Sequence, residues 1–160
     1  MIRVTDPVYY SEYLHLDQLL SSQKMASAAA GSPVHDEMLF IIVHQAYEPW
    51  FKQILWELGA VAGLLRSDRV DEMEMLRIVA HLDRITEIQE LLLDQISVLE
   101  TMTPLDFLEF RNYLIPASGF QSVQFRLIEN RLGMRPQDRI RLAGAPYTAA
   151  LSDAESSSFG

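Results

Sequence analysis

The chain carries four histidines, His15, His35, His44 and His81, and no cysteine. Without thiols there is no disulfide, no thiolate metal site and no cysteine nucleophile. The histidines form no HExxH motif, and GxGxxG, P-loop and GxSxG patterns are absent, which argues against the common zinc-protease, nucleotide and acyl-transfer sites. His44 and Glu48 stand one helical turn apart and share a face. Two such residues do not make a metal site, and pairs of this kind are more often hydrogen-bonded structure.

More informative is a histidine set in an apolar turn, Phe40-Ile41-Ile42-Val43-His44, with Phe40 and His44 projecting the same way. A neutral imidazole there can bond a ligand, take up a proton or satisfy a buried neighbour, and the residues alone leave these open. Arg111 repeats the pattern: Phe107 and Arg111 are at i and i+4, and Leu114 continues the stripe towards Pro116-Ala117-Ser118-Gly119. A guanidinium among aromatic rings suits a bidentate grip on a carboxylate, and a surface pairing with Asp106 or Glu109 is the alternative. Two phenylalanine-flanked polar groups on separate helices match the usual layout of a small-molecule pocket, although periodicity cannot show that they face each other.

The elements that must position these residues read as helices throughout, with no period-two strand pattern and no internal repeat. A first helix is predicted over about residues 11–23, with Tyr13, Leu16, Leu19 and Leu20 on one stripe, followed by a small-residue linker ending in Gly31-Ser32-Pro33. A second begins near Pro33 to Asp36, with Asp36 and Glu37 opposing the helix dipole, and runs to about Leu65. It is apolar on so many faces that it belongs in a bundle interior. A third spans about Val70 to Leu99. Thr103-Pro104-Leu105-Asp106 then supplies a cap, a proline at the first helical position and an acid three residues after the cap. That helix must end before Pro116. A fifth runs from Phe120 to Leu132, closed by Gly133, and the periodicity fades beyond Arg135. The fold class is all-α, a bundle of about five helices with an irregular C-terminal tail. The chain divides into an N-terminal helix and linker over 1–32, a helical half-domain over 33–135 that carries the pocket residues, and a truncated tail over 136–160.

One domain is what 160 residues allow, and 49% apolar with 22% charged residues is the balance of a folded globular protein. Thirteen basic against twenty-two acidic residues give a net charge of −9 with no basic block, so nucleic acid is an unsuitable partner. The start, MIRVTDPVYY, has no basic segment followed by an apolar run, and the longest apolar run, Met38 to Val43, is far short of the roughly 20 residues of a membrane span. The expectation is a soluble, cytoplasmic protein without a membrane association.

Three stretches are distinctive as strings: YSEYLHLDQLL (10–20), HDEMLFIIVHQAYEPWFKQILWEL (35–58) and LETMTPLDFLEFRNYLIPASGFQSVQFRLIE (99–129). They resemble the tryptophan 2,3-dioxygenase family. That resemblance implies a cytoplasmic, all-helical homotetramer containing haem b iron, which inserts both atoms of O₂ across the indole C2–C3 bond of L-tryptophan to give N-formylkynurenine. By position it implies that His44 is the distal histidine bonding the indole N–H and that Phe40 packs on the indole ring. Ile41, Ile42 and Val43 would belong to the same substrate-binding turn. Arg111 would clamp the carboxylate, and Phe107 would fill an aromatic position that varies between Tyr and Phe. Leu114, Ser118 and Gly119 would lie over the haem, and Tyr10, Tyr13 and Leu14 would reach into a neighbouring subunit's site.

Two departures from the family pattern carry expectations of their own. The histidine that ligates the haem iron in the family belongs to a later region, so none of the four histidines here is expected to be the axial ligand. Pro49 stands where an ordinary helix former is usual, which predicts a kink one turn beyond His44 at a cost of ~3 kcal/mol in a helix interior. Set beside the dioxygenase reading are a non-catalytic helical interaction subunit or remnant of such an enzyme, and a relative acting on another indole.

Overall fold

A computed structural model describes residues 7, 9–67 and 69–139. Among the described residues every regular element is helical, as the all-α expectation requires. The order is α1 (Tyr10–Tyr13), α2 (Leu16–Leu20), α3 (Ala26–Ala29), α4 (His35–Leu64), α5 (Glu72–Leu99), α6 (Pro104–Arg111) and α7 (Val123–Arg131). Single 3₁₀ turns follow α6 at Asn112–Leu114, precede α7 at Gly119–Gln121 and come after it at Pro136–Asp138. The tail expected to be irregular lies, from residue 140 onward, outside the described residues.

The frame is the pair α4 and α5, each about 45 Å long at 1.5 Å per residue. They are antiparallel: the Tyr47 hydroxyl donates to the Leu92 carbonyl at 2.7 Å, while Glu57, further along α4, meets His81, earlier on α5. Ile54 and Leu58 of α4, Ile85, Ile88 and Leu92 of α5 and Ile128 of α7 make the core, with Tyr47, Phe51 and Leu55 packed against it. Apolar side chains spaced by three, four and seven residues bring one face of each helix to the seam, and their burial is the main force holding the pair. α7 lies across α4, with Phe125 against Phe51 at 5.4 Å and Arg131 Nη1 donating to the Leu55 carbonyl at 2.8 Å. Trp56 and Ile42 point outward, 75% and 48% exposed, so within this chain α4 is not the fully interior helix its composition suggests.

Helix starts follow local chemistry. Asp71 and Glu74 form a reciprocal capping box at α5, and Thr103 and Asp106 form another at α6, with Pro104 in the first turn where its missing N–H costs nothing. The side-chain and backbone hydrogen bonds from Thr103 hold the Asp106 carboxyl below the usual carboxylate range. α6 stops at Arg111, and the 3₁₀ turn leads into a cis Ile115–Pro116 peptide, consistent with an end before Pro116. α4 runs as continuous helix through Pro49. One turn after His44, Gln124 Nε2 of α7 donates to both the Glu48 carbonyl and its carboxylate, at 2.9 and 2.7 Å.

The N-terminal region differs from expectation. The single helix over 11–23 is two short ones, broken because His15 sits in the left-handed region at φ 50°, where a right-handed helix cannot continue. Tyr13, Leu19 and Leu20 therefore share no buried stripe and are 73%, 50% and 72% exposed. The small-residue linker in turn contains α3.

Candidate functional site

The structure brings α4 and α6 together at their aromatic residues. The Phe40 ring lies 4.1 Å from the His44 ring, 5.7 Å from Phe107 and 5.5 Å from Phe110, centroid to centroid. Phe107 and Phe110 meet edge to face at 5.4 Å, the arrangement that the ring quadrupoles favour. Phe110 is wholly buried, whereas Phe40, His44 and Phe107 are half-buried and remain reachable by a ligand. The result is an aromatic platform with one face still accessible.

At one end of the platform stands His44. Its Nδ1 lies 2.7 Å from the Phe40 carbonyl oxygen. A carbonyl can only accept, so Nδ1 carries the proton and, in the neutral ring, Nε2 presents a lone pair. That lone pair suits a ligand N–H. The loop before α7 comes over the same nitrogen: a Cβ added at Gly119 would stand 4.0 Å from Nε2. Ser118 fixes this loop, its hydroxyl accepting from the Phe120 N–H at 3.3 Å and its N–H donating to Gln121 Oε1 at 3.0 Å.

Arg111 stands at the other helix, its guanidinium carbon 5.6 Å from the Phe107 ring centroid, within cation–π range. It is exposed, and it enters none of the ion pairs among the described residues. Asp106 is engaged by Thr103 instead. The surface ion pair weighed as the alternative for Arg111 is therefore not formed there, and five guanidinium donors stay available for an anion.

Of the residues singled out from sequence, Phe40, His44, Phe107, Arg111 and Gly119 converge. Ile41, Ile42 and Val43 do not share one wall, because successive helical residues step by 100°: Ile41 is half-buried, Ile42 exposed and Val43 buried. Leu114 and Ser118 are half-buried in the segment between α6 and the Gly119–Gln121 turn. Tyr10, Tyr13 and Leu14 lie apart, on and after the exposed α1. Phe110 had no separate signal in the sequence. It lies three residues after Phe107, on the edge of the Phe107–Arg111 stripe, and that spacing does not single it out.

Among the described residues no group of three His, Asp or Glu side chains stands close enough to hold a metal ion. Glu12 and His15 have a Glu-x-x-His spacing, but α1 ends at Tyr13 and His15 is left-handed, so they share no helical face. Glu48, the partner of His44 by spacing, is instead bonded by Gln124. A haem needs a broad apolar wall and an axial nitrogen. The Phe40–Phe107–Phe110 platform with His44 fits one wall of such a site. The other histidines have other settings: His81 is hydrogen-bonded to Glu57, and His15 and His35 lie at exposed helix starts.

Comparison with known sequences gives the family. The family described as Tryptophan 2,3-dioxygenase matches residues 3–159. Proteins named tryptophan 2,3-dioxygenase from Anopheles gambiae and Dictyostelium discoideum are 54% and 57% identical to this chain, over 82% and 84% of its length. That from Mayetiola destructor is 56% identical over 82%. The aligned part is 34% of each of these relatives, so the chain spans about a third of their length.

Proposed function

This chain belongs to the tryptophan 2,3-dioxygenase family, and we propose that it supplies the substrate-orienting wall of a haem-dependent enzyme oxidising L-tryptophan with O₂ to N-formylkynurenine, in tryptophan catabolism by the kynurenine route. The observation that carries the reading is the platform itself. It offers aromatic faces, an acceptor nitrogen at His44 and a guanidinium at Arg111 that has no partner among the ion pairs of the described residues. An amino acid bearing an indole has matching parts: a flat ring, a ring N–H and a carboxylate.

The chain's own residues orient the substrate and exclude water, which is where much of an enzyme's advantage arises. His44 Nε2 accepts the indole N–H and fixes the ring edge, and Phe40 packs on the ring face. Arg111 takes the carboxylate in a bidentate grip, held in place over Phe107. Leu114, Ser118 and Gly119 are the residues that would border haem b, which when bound supplies O₂ activation at its iron. The histidine that would hold its iron would come from outside the described residues. The reading extends to a cytoplasmic homotetramer in which Tyr10, Tyr13 and Leu14, all exposed here, complete a neighbouring subunit's site.

Exposed Trp56, Leu93, Leu105 and Leu108, each more than half accessible, favour association with further helices. This is also what a non-catalytic interaction subunit would show. Ligand binding separates the two. In the complete haem-loaded protein, Arg111→Ala should weaken L-tryptophan binding by roughly tenfold to a hundredfold, the worth of a charge-assisted contact, while haem uptake is retained. Tryptamine, which lacks the carboxylate, should bind the wild type as weakly as tryptophan binds the variant. Unchanged tryptophan affinity in Arg111→Ala would refute the carboxylate clamp. Absence of tryptophan binding by the haem-loaded wild type would leave the interaction-subunit reading.

A further inference from the structure

We propose that residues 22–34 form a strap that sets the position of Arg111, and that Glu37 is the positioning residue that anchors it; this rests on the reading of Arg111 as the carboxylate clamp. Glu37 is 1% exposed on α4, yet no cation pairs with it among the described residues. Its two carboxylate oxygens accept instead from the Ala26 and Ser27 N–H groups, at 2.7 and 3.0 Å. These are the first N–H groups of α3, a helix of four residues that has no stability of its own. Ser27, fully buried, closes the segment: its hydroxyl accepts from the Val34 N–H and its carbonyl from the Ser32 N–H, both at 3.0 Å.

A second fastening lies further along α4. Gln23 Nε2 donates to Gln45 Oε1 at 2.6 Å, and Gln45 Nε2 donates to the Ser22 carbonyl at 3.4 Å. Glu37, Ile41 and Gln45 form an i, i+4 stripe directly beside that of Phe40 and His44, so the two fastenings bracket the site residues along the helix. Between them α3 packs against the 3₁₀ turn Asn112–Leu114, which begins at the residue after Arg111. The strap therefore joins the helix bearing His44 to the end of the helix bearing Arg111. Its seat depends on a carboxylate, because both atoms facing the backbone must accept.

Glu37→Gln keeps the shape but turns one acceptor into an N–H₂ group opposed to a backbone N–H. In the complete haem-loaded protein, L-tryptophan affinity should fall roughly three- to tenfold, with haem uptake retained. Amide hydrogen exchange should quicken together at residues 26–30 and 112–117. In an Arg111→Ala background the same substitution should cost no further affinity, since there is no clamp left to misplace. An equal loss in both backgrounds, or faster exchange confined to 26–30, would overturn the positioning role. Should Glu37→Gln fail to fold, Ser27→Ala, which removes only the acceptor for Val34, should show the same coupling more weakly, and its absence would overturn the proposal equally. If Arg111→Ala alone leaves tryptophan affinity unchanged, it is the clamp reading that has failed, and the strap's purpose with it.

Discussion

Glu57 offers the sharpest test of how the two long helices are joined. Its carboxylate, 2% exposed, is bonded by Gln53 at 2.5 Å, by Arg84 at 2.8 Å and by His81. The three donors are unequal: Gln53 is on the same helix, His81 is 27% exposed and Arg84 is 56% exposed. Removing the carboxylate by Glu57→Gln leaves donors that can turn to water, so the loss should be modest, about 1–2 kcal/mol at neutral pH, from weakened charge-assisted bonds. Removing both partners that reach Glu57 from α5, His81→Ala with Arg84→Ala, strands a buried charge and should cost more, about 3–5 kcal/mol. Adding Glu57→Gln to that double variant should then restore stability, because the stranded charge is gone.

Acidification supplies an independent readout. Burial pushes the Glu57 carboxyl up, but the hydrogen bonds from Arg84, His81 and Gln53 outweigh it and leave the group below its ordinary value. A carboxylate depressed in the folded state binds its proton more readily when unfolded. Its contribution is therefore fully present above the ordinary carboxylate value and is lost as pH falls through that range towards the folded value. Urea unfolding followed by circular dichroism, repeated at descending pH, should show that loss in the wild type and a smaller one in Glu57→Gln. In the double variant the uncompensated carboxylate is raised, so mild acid should narrow its deficit. If the double variant is no less stable than Glu57→Gln, or if Glu57→Gln keeps the full acid slope, the buried-charge account of the α4–α5 seam is wrong.

Two further substitutions test the platform and the seam. Phe110→Ala should destabilise the fold by about 3–5 kcal/mol, as expected for a fully buried ring, and should weaken tryptophan binding by loosening Phe40 and Phe107. Thermal unfolding together with a binding titration checks both, and a stable variant with normal affinity would show that Phe110 does not hold the platform. Tyr47→Phe removes the hydroxyl that donates to the Leu92 carbonyl and leaves that carbonyl short of one bond. A loss of about 0.5–1.5 kcal/mol in urea unfolding is expected, and no loss would mean that the carbonyl is satisfied without it.

What could be read from the sequence was whatever is encoded within a turn or two of helix. The α6 start was legible because Thr103, Pro104 and Asp106 contain the whole of its capping chemistry, and α4 and α5 were legible because their apolar spacing persists over many turns. α3 was not, because the acceptors for its first N–H groups belong to Glu37, ten and eleven residues further on. The stretch 24–33 alone reads as a linker. In Glu37 itself the acidic residue of a helix's first turn, ordinarily a dipole partner facing water, is a buried anchor, and sequence gives the two roles the same spelling. Glu57 is hidden in the same way, since an acid in mid-helix reads as a solvated face until His81 and Arg84, 24 and 27 residues later, are brought back by the antiparallel turn.

At the candidate site the division is similar. The i, i+4 pairs Phe40–His44 and Phe107–Arg111 mark two faces, and only tertiary packing makes them one platform, through Phe110, whose position the stripe does not pick out. The direction of the His44 proton is likewise invisible in the sequence. It follows from the Phe40 carbonyl at 2.7 Å, which leaves Nε2 as the acceptor. An N–H donor rather than an acceptor would thus be favoured at Nε2 by a backbone oxygen on the far side of the ring, and a residue type alone specifies neither.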